Sequence, residues 1–175
     1  MFDKLIDVII SFLDKLTPFV ILKQYEEGVF MRLGIYRKSV GPGLHWKIPI
    51  ADEIDAYPVV TTTIPLHAQS IVTRDEVEIV VKAQTKYKIS DIKKYALDTY
   101  DATNALSDIS AGVIYEITSS LTYKECINCD LNALITKQVQ KQAKFWGFEV
   151  IQVKITDFSK MRSIRLFNET LTHPE

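Results

Sequence analysis

Cys126 and Cys129 stand in the C-x-x-C spacing used by dithiol redox pairs and by half of a four-ligand zinc site. Either chemistry needs more than the pair. Zinc needs further ligands, but His45, His67 and His173 are scattered along the chain and there is no second C-x-x-C. A redox pair needs a thiol whose pKa is lowered, commonly at a helix N-terminus. A helix start expected at Asp130, just after the pair, is compatible with that, and nothing else in the sequence supports it. Two ordinary free thiols are the simpler reading. Elsewhere no serine lies in a G-x-S-x-G elbow and no glycine-rich phosphate loop precedes a helix. Gly41-Pro42-Gly43 is too short and too proline-bound to cradle phosphates. Acidic residues are abundant, but no pair falls by its spacing on one face of a buried element. Neither catalysis nor a metal or cofactor is expected.

The other residues with a chemical message are apolar. In "GPGLHWKIPI" (41–50), a segment with two glycines and two prolines carries Leu44, Trp46, Ile48 and Ile50, more apolar surface than a turn needs. At the N-terminus, Phe2, Leu5, Ile6, Ile9, Phe12, Leu13 and Leu16 recur at helical spacing, and Asp3, Lys4, Asp7, Ser11, Asp14 and Lys15 fall on the opposite side. With Val8 and Ile10 at its edges the apolar arc exceeds half the helix, wider than a helix resting on a globular core requires. Such a helix suits the plane of a membrane interface; the alternatives are a first core helix or a docking or dimerisation helix. Its charges and Pro18 leave no apolar run of the roughly 18–20 residues that span a bilayer. It also lacks the uninterrupted apolar region and small-residue cleavage site of a signal peptide.

The elements that must position these residues follow from period. Phe19 to Tyr25 and Val29 to Leu33 read as a hairpin turning at Glu26-Glu27-Gly28. Gly34 and Ile35-Tyr36 lead into the apolar loop. Residues 54–71 are extended, with Pro58 and Pro65 restricting them to edge or broken strands. Val77, Ile79, Val81, Ala83, Thr85, Tyr87 and Ile89 alternate with polar residues, the signature of a half-buried strand. A short helix is expected over 91–97, then a longer one presenting Ala102, Ala105, Leu106, Ile109, Val113, Ile117 and Leu121. A third runs from an Asp130 cap to a stop at Gly147. Residues 148–158 form a last strand. Apolar fraction 47%, charged fraction 25% and net charge −1 over 175 residues fit one ordinary globular unit with no global pull toward nucleic acid. Lys82, Lys86, Lys88, Lys93 and Lys94 read as the solvated face of a strand running into a helix. The sharper alternative is a contact with acidic lipid or a neighbour's acidic face.

Five stretches in order, "EEGVFMRLGIY" (26–36), "GPGLHWKIPIAD" (41–52), "VTRDEVEIVV" (72–81), "KYKISD" (86–91) and "WGFEVIQVKITDF" (146–158), make residues 19–158 resemble the SPFH family (stomatin, prohibitin, flotillin), its stomatin branch most of all. The resemblance implies an α+β fold: an antiparallel β-sheet with helices packed on it, preceded here by the amphipathic helix of residues 1–18. The domain divides into a first subdomain of about 19–72 and a second of about 73–158, and a helical stub covers 159–175. It also implies a non-enzymatic, membrane-associated scaffold that forms homo-oligomers laterally, organises a membrane patch and regulates a membrane protein such as a protease or channel. The expected location is the cytoplasmic face, monotopic or peripheral. Gly28 and Gly34 match the family's tight turns, Arg32 its arginine between them, and Gly41, Pro42 and Gly43 its signature loop; Asp75 and Gly147 fall in its later motifs. Because the first subdomain of family members lies against headgroups, Leu44, Trp46, Ile48 and Ile50 either meet lipid or close the core beneath their loop.

Three departures stand out. Family members usually continue into a long heptad coiled coil, whereas this chain stops 17 residues after Phe158. A closed cage is therefore not expected of it, and Met161, Ile164 and Phe167 are the remaining candidates for helix-mediated oligomerisation. Glu76 stands where the family often has Gly or Asn, and no arginine lies near Gly112. The competing functional readings are a soluble adaptor whose N-terminal helix docks on a protein, and a thiol redox protein.

Overall fold

A computed structural model describes residues 18–161; the candidate residues Phe2 to Leu16, Ile164 and Phe167 lie outside them. Among the described residues nine strands and four α-helices follow one another: β1 (Phe19–Leu22), β2 (Glu26–Arg32), β3 (Ile35–Val40), β4 (Gly43–Trp46), β5 (Asp52–Pro58), β6 (Thr62–Pro65), β7 (Gln69–Val72), β8 (Glu78–Ile89), α1 (Ile92–Leu97), α2 (Ala102–Ser120), α3 (Tyr123–Asn128), α4 (Leu131–Ala143) and β9 (Phe148–Lys160). All pairings are antiparallel. They form three sheets: the ribbon β1–β4, the sheet β3–β2–β5, and a sheet in which β8 pairs with β9 on one edge and with β6 and β7 end to end on the other.

The long alternation places Ile79, Val81, Ala83, Thr85 and Tyr87 in the main core, under α2 and α4. Pro58 ends β5 and Pro65 ends β6, so the strand opposite β8 is broken where a proline removes the ladder N–H. Each helix begins at a side-chain cap, which satisfies amides that would otherwise lack a partner. Asp91 accepts from the amides of Lys93 and Lys94, Asp101 from Asn104, and Asp130 from Ala133. Helix α3 adds to the three helices expected over residues 91–147; Thr122 and Glu125 form a reciprocal capping box at its start, a signal present in the T-x-x-E spacing.

Helix α4 also seals a sheet edge. Asn132, Thr136 and Gln140, spaced at i, i+4 and i+8, face the outer edge of β9. Ile155 N–H donates to Asn132 Oδ1 (2.8 Å), Val153 N–H to Thr136 Oγ1 (2.9 Å), and Gln140 Nε2 to the Val150 carbonyl (2.8 Å). These bonds occupy backbone groups that an open edge would offer to another chain.

Two expectations for residues 19–58 are corrected. The hairpin is β2–β3, closed by Leu33 and Gly34 with φ 52° and 76°, the positive-φ pair of a two-residue turn that follows strand twist. β1 pairs instead with β4. Glu26-Glu27-Gly28 is therefore strand, and Gly28 serves packing, not a turn. A Cβ there would lie 2.9 Å from Ile54 Cγ2 and 3.0 Å from both Leu22 Cδ1 and Val40 Cγ2, side chains of the small core of Leu22, Phe30 and Val40. At the other end of the chain, Ser159 and Lys160 extend β9 rather than opening the helical stub. Met161, 45% exposed, donates its N–H to the Glu78 carbonyl.

Gly28→Ala is accordingly expected to destabilise the fold by about 1–3 kcal/mol through overpacking. Gly41→Ala, where a Cβ meets nothing within 4 Å, should stay within ~0.5 kcal/mol of wild type. Equilibrium urea denaturation of the two variants measures the contrast.

Candidate functional site

Register builds the site. Phe19 opposes Trp46 and Ile21 opposes Leu44 across the β1–β4 ribbon, so these four side chains share one face, since directly opposed residues point the same way. The alternate residues, Val20 and Leu22, turn inward onto Phe30, Val40 and Ile54. The expected apolar loop is thus half strand, and β1 contributes apolar side chains to both faces of the ribbon, with His45 beside Val20 on the inward one. Only the inward face is covered among the described residues. Trp46 is 73% exposed and Ile50 95%, with Leu44, Ile48 and Ile21 each more than half exposed. Trp46 and Ile48 therefore do not plug a core. Phe19 and Trp46 meet edge to face at 6.4 Å, an arrangement that organises the patch from within.

A buried carboxylate holds the tip of this surface in place. The Asp52 side chain is 1% exposed. It accepts from Arg32 Nε (2.6 Å) and Nη2 (2.9 Å) and from the Ile48 N–H (2.9 Å), while Asp52 N–H donates to the Ile48 carbonyl (2.9 Å). The 48–52 turn is closed at both ends by one residue. Arg32 and Asp52 are also directly opposed in the β2–β5 ladder. The Arg32 hydrogen bonds lower the Asp52 pKa from an ordinary 3.8 to about 2; burial opposes the shift, and the Ile48 amide and the guanidinium charge add to it. Arg32 is raised in turn by Asp52. Asp52 stands in the "PIAD" end of the second sequence motif, but its tie to Arg32 spans 20 residues and had no local signal.

The remaining candidates have structural settings. Asp75 Oδ1 accepts from Thr73 Oγ1 (2.6 Å) and from the Tyr123 N–H (2.9 Å), so it pins the β7–β8 turn to the start of α3. Those two bonds lower its pKa. Glu76 adopts φ 59°, the left-handed conformation that Gly or Asn takes more readily. Gly147 has φ 81°, and a Cβ there would lie 2.5 Å from the Asp91 carbonyl oxygen. Its own carbonyl accepts from Ser90 N–H and Oγ and from Asp91 N–H. Gly43 has φ 127°, whereas Gly41 has no crowding neighbour.

The C-x-x-C pair does not sit at a helix start. Cys126 lies within α3, Cys129 is its C-cap, and the following helix begins at its own Asp130 cap. Cys126 is buried in the main core, and burial raises its thiol pKa, the reverse of what a nucleophilic thiol requires. Of the five basic residues between 82 and 94, Lys88 pairs with Glu149 at 3.1 Å, Lys94 lies 3.9 Å from Asp91, and Lys93 stands 5.1 Å over the Tyr36 ring.

A depressed folded-state pKa stabilises the fold above the ordinary carboxylate value, and this contribution disappears as pH falls through the folded value. Asp52→Asn should therefore melt below wild type at neutral pH, with the gap steady down to about pH 4 and closing toward pH 2. Melting temperatures across that range provide the check. A gap independent of pH would show that the carboxylate charge is not what Arg32 holds.

Residues 20–164 match the SPFH domain / Band 7 family. An uncharacterized protein of Archaeoglobus fulgidus is 28% identical over 163 residues, 92% of this chain and 65% of its own length. A stomatin homolog of Pyrococcus horikoshii is 27% identical over 139 residues, 78% of this chain and 52% of its own. The protein HflK of Vibrio cholerae is 34% identical over 89 residues, 51% of this chain and 22% of its own. The chain thus spans from about two thirds to under a quarter of the length of these relatives. With the family match covering most of the chain and the α+β architecture in place, this protein belongs to the SPFH domain / Band 7 family.

Proposed function

We propose that this protein is a peripheral or monotopic, non-enzymatic membrane scaffold on the cytoplasmic face. Its chains assemble side by side, organise a patch of bilayer and regulate a membrane-protein partner such as a protease or channel. The observation that carries the reading is the outward face of the β1–β4 ribbon. Phe19, Ile21, Leu44 and Trp46, continued by Ile48 and Ile50, form an exposed apolar surface. Soluble monomers rarely leave such a patch in water. An indole with an apolar body and one N–H suits the boundary between acyl chains and headgroups. Among the described residues no helix is long and apolar enough to cross a membrane, so lipid contact would come from this ribbon and from the apolar arc of residues 2–16.

The chemistry of the perturbed groups fits a scaffold. The low-pKa carboxylates Asp52, Asp75 and Glu125 each accept hydrogen bonds that join chain segments: Arg32 and Ile48, Thr73 and Tyr123, Thr122 and Arg74. Their shifts are explained by fold-building bonds, which leaves none of them poised for proton transfer.

Two measurements test the reading. In a Trp146→Phe background, where Trp46 is the sole tryptophan, emission should shift to the blue and be quenched by brominated lipids when vesicles are added. Leu44→Asp/Trp46→Asp should weaken vesicle flotation at least tenfold, about the cost of placing charge at the interface, and Ile9→Asp/Phe12→Asp reports the helix separately. Unchanged Trp46 emission together with no flotation would end the membrane reading. Lateral assembly predicts crosslinked multimers that grow with vesicle surface density and dissociate on dilution in detergent, because confinement in a plane lowers the entropic cost of association. Crosslinking that ignores lipid would count against it.

A further inference from the structure

A groove of about 640 Å³ lies beside the apolar ribbon. Phe30 and Val40, both buried, form its floor, and Leu44, His45 and Trp46 supply one wall. His45 Nε2 is fixed against the Gly41 carbonyl at 2.6 Å. The rest of the lining is basic: Arg32, Arg37 and Lys38, with no carboxylate among the lining residues. Arg32 is neutralised by Asp52. Arg37 and Lys38 are not: among the described residues neither has an ion-pair partner, and Lys38 Nζ stands 5.8 Å from the Phe30 ring centroid. Two uncompensated cations over an apolar floor make a concave site that concentrates anions.

The occupant is narrowed by continuity. Leu44 and Trp46 belong at once to the groove wall and to the exposed apolar face. A free phosphate would use only the cations, and so would an acidic peptide. An amphiphile whose anionic group is joined to acyl chains uses both surfaces together. We infer that the groove seats the phosphate of an anionic phospholipid headgroup between Arg37 and Lys38, with the acyl chains directed along the Leu44 and Trp46 face. The inference rests on the membrane reading above and specifies the lipid class. Arg37 supplies a planar fork that can bind two phosphate oxygens, and Lys38 a point charge.

The test uses the full chain, neutral vesicles of phosphatidylcholine, and anionic vesicles in which about one third of the lipid is phosphatidylglycerol, at roughly 0.1 M salt. Wild type should partition more strongly onto the anionic vesicles. Arg37→Gln/Lys38→Gln, at two exposed positions, should lose roughly 10- to 30-fold of that partition and keep wild-type binding to neutral vesicles. Lys82→Gln/Lys86→Gln removes the same charge from the outer face of β8 and should change partition less than about threefold. Undiminished anionic binding by the groove variant, or an equal loss in the β8 variant, overturns the groove assignment while the membrane reading stands. Failure of wild type to bind either vesicle sinks the membrane reading and the groove assignment with it. Inorganic phosphate at matched ionic strength should not displace wild type from anionic vesicles; displacement assigns the groove to free phosphate. A poly-glutamate peptide that displaces wild type more readily than the groove variant assigns it to an acidic protein. Either displacement overturns the lipid.

Discussion

The presentation of the apolar surface depends on one buried carboxylate. Asp52 accepts three hydrogen bonds, two from Arg32 and one from the Ile48 amide, and its own amide closes the same turn. Burying a charge is costly unless it is paired and hydrogen-bonded, and here every bond that offsets the cost also fixes geometry. Ile48 and Ile50 would gain by folding inward, as apolar side chains generally do. The clamp holds the turn so that they cannot, with Ile50 at φ 72°, a conformation a β-branched residue adopts only when its surroundings impose it. A polar interaction thus keeps the apolar tip displayed.

The rest of the fold is closed against competing contacts. The main core, between the β8 sheet and helices α2 and α4, supplies most of the buried apolar surface. The outer edge of β9 is occupied by Asn132, Thr136 and Gln140 of α4, and the opposite side of β8 is filled by two short strands broken around Pro65. The edges of the main sheet are thereby made poor templates for pairing with another strand. What the β1–β4 ribbon leaves open is a face of side chains, apolar and flanked by Arg37 and Lys38. Such a surface suits the boundary of a bilayer, where an apolar phase and anionic headgroups lie within a few ångströms of each other.

Much of the fold was legible because its signals are local. The alternation through residues 77–89 places one face of β8 in the core, Asp91 and Asp130 mark helix starts, and Gly147 stops the 3-10 turn Lys144–Trp146 that follows α4, because periods of 2 and 3.6 and cap chemistry are written within a few residues of where they act. The signal for helix α3 is equally local, in its Thr122 and Glu125 box. Residues 19–58 are less legible for a different reason. Glu26-Glu27-Gly28 has the composition of a turn, yet Gly28 is needed where Leu22, Val40 and Ile54 converge from three other strands or their neighbours. That crowding exists only once the strands are assembled.

The same distinction governs the functional surface. The types and order of residues 41–50 establish that an unusual quantity of apolar surface sits among glycines and prolines. The segment reads as a loop from its sequence, and the spacing of Leu44, Trp46, Ile48 and Ile50 does not say which face is turned inward. That was decided by the pairing of β4 with β1, in which Phe19 opposes Trp46 while Val20 and Leu22 dock on Phe30 and Val40, and by the Arg32 to Asp52 bond that holds the adjoining turn. These are contacts between residues up to 27 positions apart in the chain. A local pattern can specify which side chains travel together, whereas the side that meets solvent is chosen by what the rest of the chain packs against the other.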